Sequence, residues 1–185
     1  IQINPGFLFP TQFWTAELDE NIEQLQKEAY LIRKNDKDGV IKSNSGFQGY
    51  HSKDIGHLNN LPGTKHLLNQ IINAVNAIHQ ISRQGDLQLT NFWINISGKG
   101  SSNTPHTHSG LTYSGVFFIK VPKEMKGGRF LFYRNFNEAD FISTEYMGHF
   151  KEGYQMQGYD YPINTISPKE NMLVVFPAWI PHAVE

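Results

Sequence analysis

The chain has 185 residues and no cysteine, and its 16 lysines and arginines nearly balance its 17 aspartates and glutamates. The balanced charge argues against nucleic acid or an anionic membrane as a partner, and the lack of cysteine excludes disulfides, thiolate metal sites and a cysteine nucleophile. No apolar stretch approaches the roughly 18 residues that cross a bilayer, and the first residues lack the features of a signal peptide. We therefore expect a cytoplasmic protein with one domain over residues 1–185, in which any metal is bound by histidine or carboxylate.

Two amphipathic helices are predicted in the first half of the chain. In residues 15–34, apolar side chains recur every three or four positions, and acidic residues lie near the start, where the helix dipole favours them. A second apolar stripe, over residues 64–83, follows a Pro-Gly pair and stops at Gly85. The segment 43–54 between the two helices is rich in turn-forming residues and is predicted to be loop or short strand.

From Asp86 onward the pattern changes to short β-type runs separated by Gly, Pro, Asn and Ser. These runs cover residues 87–97, 112–121, 129–134, 161–167 and 171–177. Helices followed by strands predict a mainly β fold with flanking helices, α+β, and argue against a βαβ layout. We expect a helical part over residues 1–85 and a β core over 86–185. The aromatic-rich segment 135–160 within that core is either a lid over a site or a variable loop.

The run 91–97 divides into two faces, because neighbouring side chains of a strand point to opposite sides. The apolar face consists of Phe92, Ile94 and Ile96. It is suited to packing beneath the helices. The other face has asparagines on either side of Trp93, and it looks either into a cavity or into solvent.

Three histidines are candidate metal ligands. His106 and His108, at positions i and i+2 of an extended segment, project to the same side and can share one metal. His182 follows an apolar strand and could complete a facial triad, which leaves three positions open as in non-haem iron enzymes. An HxH pair on its own also occurs by chance as surface histidine. The remaining histidines are interpreted as ordinary solvated or capping residues: His51, His57, His66, His79 and His149.

Four segments of the chain form a recognisable combination of motifs. The most specific one, NFWINISGKGSSNTPHTHSGLTYSGVFFIKVP at 91–122, has a tryptophan-asparagine strand, a glycine, an H-x-H and an S-G-V-aromatic-aromatic strand. The others are the early SNSGFQGYHS, the GGRFLFYR block at 127–134 and the final NMLVVFPAWIPHAVE. With these motifs the chain resembles, over most of its length, the 2-oxoglutarate/iron(II) oxygenases found in marine bacteria and their phages.

The resemblance implies a double-stranded β-helix, or jelly roll, with the two N-terminal helices packed on the outside of the major sheet. It implies iron(II) held by His106, His108 and His182, with 2-oxoglutarate and O2 as cosubstrates and hydroxylation as the default reaction. One departure is chemically important. The wider superfamily uses His-x-Asp/Glu and a distal His, whereas His108 stands here at the carboxylate position.

The sequence gives a weaker indication of the residues that bind the cosubstrate. Asn95, Tyr113 and Ser114 are candidates for hydrogen bonds to 2-oxoglutarate, on strand parity and proximity. The superfamily places an Arg or Lys for the distal carboxylate on the strand after the distal His, so we expect that residue, and the rest of the C-terminal strand, beyond Glu185. Arg129 and Arg134 are substitutes within the chain, although Arg134 is more economically interpreted as a structural ion-pair residue.

Two alternatives belong to other classes. A cupin-type metal enzyme that does not use 2-oxoglutarate is supported by Gly100, six residues before His106, but a cupin glutamate is missing shortly after the H-x-H. A non-catalytic jelly-roll binding protein is the other alternative. The oligomeric state is open, with a homodimer among the options.

Overall fold

The computed structural model describes residues 11–36, 49–53, 61–81, 85–134 and 163–185. The described elements, in chain order, are β1 (Trp14–Glu17), α1 (Ile22–Asn35), β2 (Gly49–His51), α2 (Pro62–Gln80), β3 (Asn95–Ser97), β4 (Tyr113–Phe117), β5 (Phe130–Tyr133), β6 (Ile163–Ile166), β7 (Met172–Pro177) and β8 (His182–Val184). All strand pairs are antiparallel. The prediction of a mainly β chain with two helices is therefore confirmed.

Two three-stranded sheets contain most of the strands. Their orders are β1-β7-β4 and β6-β5-β8, while β2 and β3 form a separate pair. Side chains from both sheets form one apolar cluster, the main core, which consists of Phe130, Phe132, Val174, Phe176 and Ile180. The sheet face that carries Val174 and Phe176 is called the inner face below.

Strand β7 is buried on both faces. Val174 and Phe176 point into the main core, and Leu173 and Val175, which point the other way, are also only 1% exposed. A strand covered on both sides needs apolar residues at every position. This explains why β7 reads as a continuous apolar run instead of an alternating one.

The helices pack outside the main core. Ala29 and Ile32 of α1 form a second cluster with Ile94, and Phe92 and Ile96 pack against it. This confirms that the apolar face of the 91–97 run packs beneath a helix. In α2, the His79 ring meets the Tyr113 ring of β4 at 5.9 Å between centroids.

The start of α1 differs from the prediction. Residues 15–17 were expected to be helical, but they belong to β1, in which Trp14–Glu17 pairs with residues 172–175 of β7. The helix begins only after Asn21, whose side-chain Oδ1 accepts a hydrogen bond from the Gln24 backbone N–H at 3.1 Å. The hydrogen bonds to a central strand outweigh the weak local preference of these residues for helix.

Other predicted boundaries are also shifted. Helix α2 begins at Pro62, two residues before the predicted start, because proline suits the first turn of a helix. Of the predicted strand 87–97, only Asn95–Ser97 forms a strand, because only these residues have a partner strand, β2. The part predicted as helical thus also contains β1 and β2, and β1 belongs to a main sheet.

Two further predictions concern the segment 135–160 and the absence of a membrane span. Residues 135–160, predicted to be either a lid or a variable loop, lie outside the described residues. In the part of the chain that the structure describes, neither helix has the length and apolar character that a membrane span requires.

Candidate metal centre

The two histidine segments lie side by side. His106 and His182 exchange backbone hydrogen bonds in both directions, each with an N–O distance of 3.0 Å. Two residues further on, the His108 N–H donates to the Ala178 carbonyl at 2.9 Å. This local antiparallel pairing brings the H-x-H motif to the distal histidine although 74 residues separate His108 from His182.

The three imidazoles converge on one point. One ligating nitrogen from each ring lies within 4.8 Å of the corresponding nitrogens of the other two. The Nε2 atoms of His108 and His182 lie 3.2 Å apart. The spacing suits a shared ion at about 2 Å from each nitrogen. The structure therefore brings together the three histidines that the sequence singled out.

Backbone carbonyls set the tautomer of two of the three rings. The His106 Nδ1 lies 2.9 Å from the Thr104 carbonyl, and the His182 Nδ1 lies 2.9 Å from the Ile180 carbonyl. A carbonyl oxygen only accepts, so both Nδ1 atoms carry the proton and donate it. Each Nε2 is then left with its lone pair, which is the form that binds a metal.

The surroundings of His182 and His108 favour the neutral form of these two imidazoles. Burial lowers the pKa of His182 to about 4, and the neighbouring His106 and His108 add to this, although the Ile180 carbonyl acts in the opposite direction. Burial, with a smaller contribution from His106, also lowers the pKa of His108. At neutral pH both rings are in the neutral form, in which one nitrogen has a lone pair available to a metal.

Aromatic side chains surround the site. The Phe176 ring meets His182 edge to face at 4.6 Å, and the Phe130 ring stacks on His182 at 5.6 Å. On the other side, the Trp93 ring lies 5.7 Å from His108. His182 is thereby only 4% exposed, while His106 and His108 are half-buried.

The donor set fits a catalytic type of metal site better than a structural one. Among the described residues, the three histidines form the sole group of three or more histidines or carboxylates close enough to share an ion. A structural zinc site would normally have four protein ligands, whereas three leave coordination positions for small molecules. Within the described ranges no carboxylate joins the group, and His108 lies beside the other two histidines at the position where the wider superfamily has a carboxylate.

The three residues predicted to contact the cosubstrate lie in different places. Ser114 pairs with Phe176 in the β4–β7 register, so both side chains lie on the inner face. The Phe176 ring on this face contacts His182. Tyr113, the preceding residue, points to the opposite face, where its ring meets His79 and Trp14. Asn95 is exposed in the β2–β3 pair. The structure thus brings only Ser114 to the side of the sheet that carries the histidines.

The burial of several aromatic side chains differs from what the sequence indicated. His79 was interpreted as solvated, but it is 6% exposed, and its Nδ1 has no hydrogen-bond partner among the described residues. Trp179, three residues before His182, is 59% exposed. His66, in contrast, is exposed and pairs with Glu20 at 3.0 Å. His57 and His149 lie outside the described residues.

Sequence reasoning missed His51, whose ring stacks on Trp93 at 5.6 Å with an interplanar angle of 15°. Trp93 itself was signalled by the parity of the 91–97 run. No comparable pattern marks His51, because its contact depends on the pairing of β2 with β3.

Comparison with protein families agrees with the geometry. The model of a family described as "Putative 2OG-Fe(II) oxygenase" matches residues 91–185, which include all three histidines. The chain belongs to this family of 2-oxoglutarate/iron(II) oxygenases. A search of curated proteins finds no match.

Proposed function

We propose that this chain is an iron(II)- and 2-oxoglutarate-dependent hydroxylase, in which His106, His108 and His182 hold the iron. The observation that carries the proposal is the convergence of three imidazoles, two of them with the Nδ1 proton held by a carbonyl, inside the segment matched by the oxygenase family. When bound, iron with 2-oxoglutarate and O2 supplies oxidative decarboxylation coupled to hydroxylation of an organic substrate.

The chain's own residues orient the ligands and exclude water. The Thr104 and Ile180 carbonyls aim the His106 and His182 rings, so little rearrangement is needed when the metal binds. Phe130, Phe176 and Trp93 keep bulk water from the imidazoles. Ser114, on the inner face beside Phe176, is proposed to donate a hydrogen bond to the cosubstrate.

Between the two arginines considered for the distal carboxylate, the geometry favours Arg134. Phe132 and His182 are direct partners in the β5–β8 register, so their side chains share one face of the sheet. Arg134 directly follows β5 and has the same parity as Phe132, two positions earlier. Arg129 has the opposite parity, is exposed, and pairs through Nη2 with Glu185 at 2.7 Å.

We further propose that the two facing sheets belong to a jelly roll and that residues 1–185 form one domain. The pairing of β1 with β7 supports this, because it joins residues near the N-terminus to a central strand of the last third of the chain. A cytoplasmic location and a homodimer stay predictions from the sequence.

The proposal is tested by anaerobic titration of the iron(II)-loaded protein with 2-oxoglutarate. We expect the weak visible charge-transfer band of a keto acid chelated to iron, and its loss in His106→Ala and His182→Ala. His66→Ala is the matched control, because this histidine pairs with Glu20 away from the three imidazoles. Iron binding without the band would favour a cupin-type enzyme, and failure to bind iron would refute the proposed metal site.

A further inference from the structure

The three histidines are not held in the same way. His106 and His182 each donate an Nδ1 hydrogen bond to a backbone carbonyl, which fixes the ring. No described residue forms a hydrogen bond with the Nδ1 of His108. Among the described residues, the polar contact of its side chain is between its Nε2 and the Nε2 of His182, a neighbour in the same site. His108 therefore lacks the restraint that orients the other two rings.

Aromatic rings contact His108, whereas backbone carbonyls hold the other two imidazoles. The Trp93 ring lies 5.7 Å from the His108 ring, inclined by 45°, and it is covered on another side by His51 at 5.6 Å and 15°. The three rings form a continuous series from the β2–β3 pair to the candidate metal centre. The series links an element outside the family-matched segment to the site, since His51 precedes residue 91.

The outer end of this series is firmly anchored. The His51 Nδ1 donates to the Ser52 carbonyl at 2.7 Å, which fixes the His51 ring. Ser52, only 1% exposed, donates through its N–H to the Ile94 carbonyl at 3.0 Å and accepts the Ile94 N–H on Oγ at 2.9 Å. These bonds hold the backbone on both sides of the contact between His51 and Trp93.

We propose that Trp93, backed by His51, is a positioning residue that orients the His108 imidazole toward the metal. The inference rests on the proposed function, because it assigns Trp93 to the same metal centre. A ring whose Nδ1 is not held by a hydrogen bond must otherwise be immobilised when the metal binds, and contact with a fixed indole removes much of that entropic cost beforehand. Loss of partners that orient metal ligands typically weakens metal affinity by about 10-fold to 100-fold.

The first measurement needs no metal. The imidazole nitrogens are followed by NMR in the ¹⁵N-histidine-labelled, metal-free full chain, and each ring is assigned from its histidine-to-alanine variant. In Trp93→Ala we expect the His108 ring signals to broaden or split, while those of His106 and His182 stay unchanged. A general loss of structure would alter all three rings, so the selective change distinguishes positioning from a purely structural role.

The second measurement is the affinity for cobalt(II), determined by competition with a chelator. We expect Trp93→Ala to bind cobalt(II) about tenfold more weakly, Trp93→Phe to recover most of the loss, and His51→Ala to show a smaller loss in the same direction. Trp179→Ala is the matched control, because it removes an indole that is 59% exposed, and we expect wild-type affinity.

The outcomes separate the two proposals. If the wild-type protein does not bind cobalt(II), the proposed metal site fails, whereas the NMR comparison still tests the orientation of His108. If the wild type binds and Trp93→Ala matches it in affinity and in the His108 signals, the positioning role is overturned. Should Trp93→Ala fail to fold, Trp93→Leu and His51→Ala replace it, and wild-type behaviour of both would overturn the inference equally.

Discussion

The absence of a carboxylate among the candidate ligands has an electrostatic consequence. In the proposed site, three neutral imidazoles leave the full charge of iron(II) uncompensated, whereas a carboxylate would cancel one unit. Attraction between charges grows with their product and is strong where water is excluded. Such a centre favours an anionic chelating partner, which agrees with 2-oxoglutarate as cosubstrate.

Alanine substitution of Arg134 and of Arg129 tests where the distal carboxylate of 2-oxoglutarate binds. We expect Arg134→Ala to raise the dissociation constant of 2-oxoglutarate by about tenfold or more, because a charged hydrogen bond contributes roughly 1.5–3 kcal/mol. Arg129→Ala is the matched control, since this exposed residue pairs with Glu185. The measurement is anaerobic calorimetry on the manganese(II)-loaded protein. Equal affinities in the two variants would remove Arg134 from the site.

Part of the site was predictable residue by residue. The i, i+2 spacing of His106 and His108 is a local feature, and it predicts a shared side wherever the segment is extended. Strand parity likewise separates Ser114 from Tyr113, but it does not say which of the two faces the interior. That depends on the sheet that β4 faces, and hence on residues far away in the chain.

At the scale of the elements, the start of α2 depends on α1. The N-cap position of α2 is Leu61, which has no side-chain hydrogen bond to offer. Glu28 of α1 caps the helix instead. Its carboxylate accepts hydrogen bonds from the N–H groups of Gly63 at 2.9 Å and Thr64 at 2.6 Å, and from the Thr64 hydroxyl at 2.7 Å. A carboxylate from one helix thus caps the next, where it also meets the positive end of the dipole.

Replacement of this cap is expected to destabilise the protein. Glu28 is only 7% exposed, so Glu28→Gln leaves buried N–H groups with a weaker, uncharged acceptor. We expect a loss of about 1–3 kcal/mol in the free energy of unfolding, measured with urea at pH 7. Glu23→Gln, an exposed change in the first turn of the same helix, is the control and should stay within about 0.5 kcal/mol.

The same carboxylate predicts an acid dependence of stability. Burial alone would raise the pKa of Glu28, but its hydrogen bonds with Thr64, Gly63 and Gln24 outweigh this and lower the pKa below the usual 4.5. A pKa lowered by folding stabilises the protein above the unfolded-state pKa, and this contribution is lost as the pH falls through the folded-state pKa. The difference in unfolding free energy between wild type and Glu28→Gln should therefore shrink at acidic pH. A constant difference would contradict this.

At the scale of the whole molecule, the main core also supports the site. Phe176 contacts Phe130 at 5.4 Å and Phe132 at 5.1 Å, and the same ring meets His182 at 4.6 Å. The packing that joins the two sheets therefore also backs the distal histidine. Stability and site geometry should respond together when this core is changed.

Truncation of Phe176 tests that coupling. We expect Phe176→Ala to lower the free energy of unfolding by about 3–5 kcal/mol, because the side chain is fully buried between the sheets. Phe13→Ala provides the control, since its ring also contacts Phe132, at 5.3 Å, but the residue is 47% exposed. Its loss should be about 1 kcal/mol. Equal losses in urea unfolding would show that Phe176 does not support the core as described.

The structural features that the sequence determined by itself follow from local periodicity. The bodies of α1 and α2, the continuous run of β7 and the HxH pair are each encoded by side chains close together in the chain. Tertiary structure decided the rest. Backbone pairing with β7 turned residues 14–17 into a strand, and the β2–β3 pair brought His51 to Trp93. It also turned Ser114 inward and Tyr113 outward. These outcomes depend on which distant segment supplies the hydrogen-bond partner or covers a face, and no local pattern carries that information.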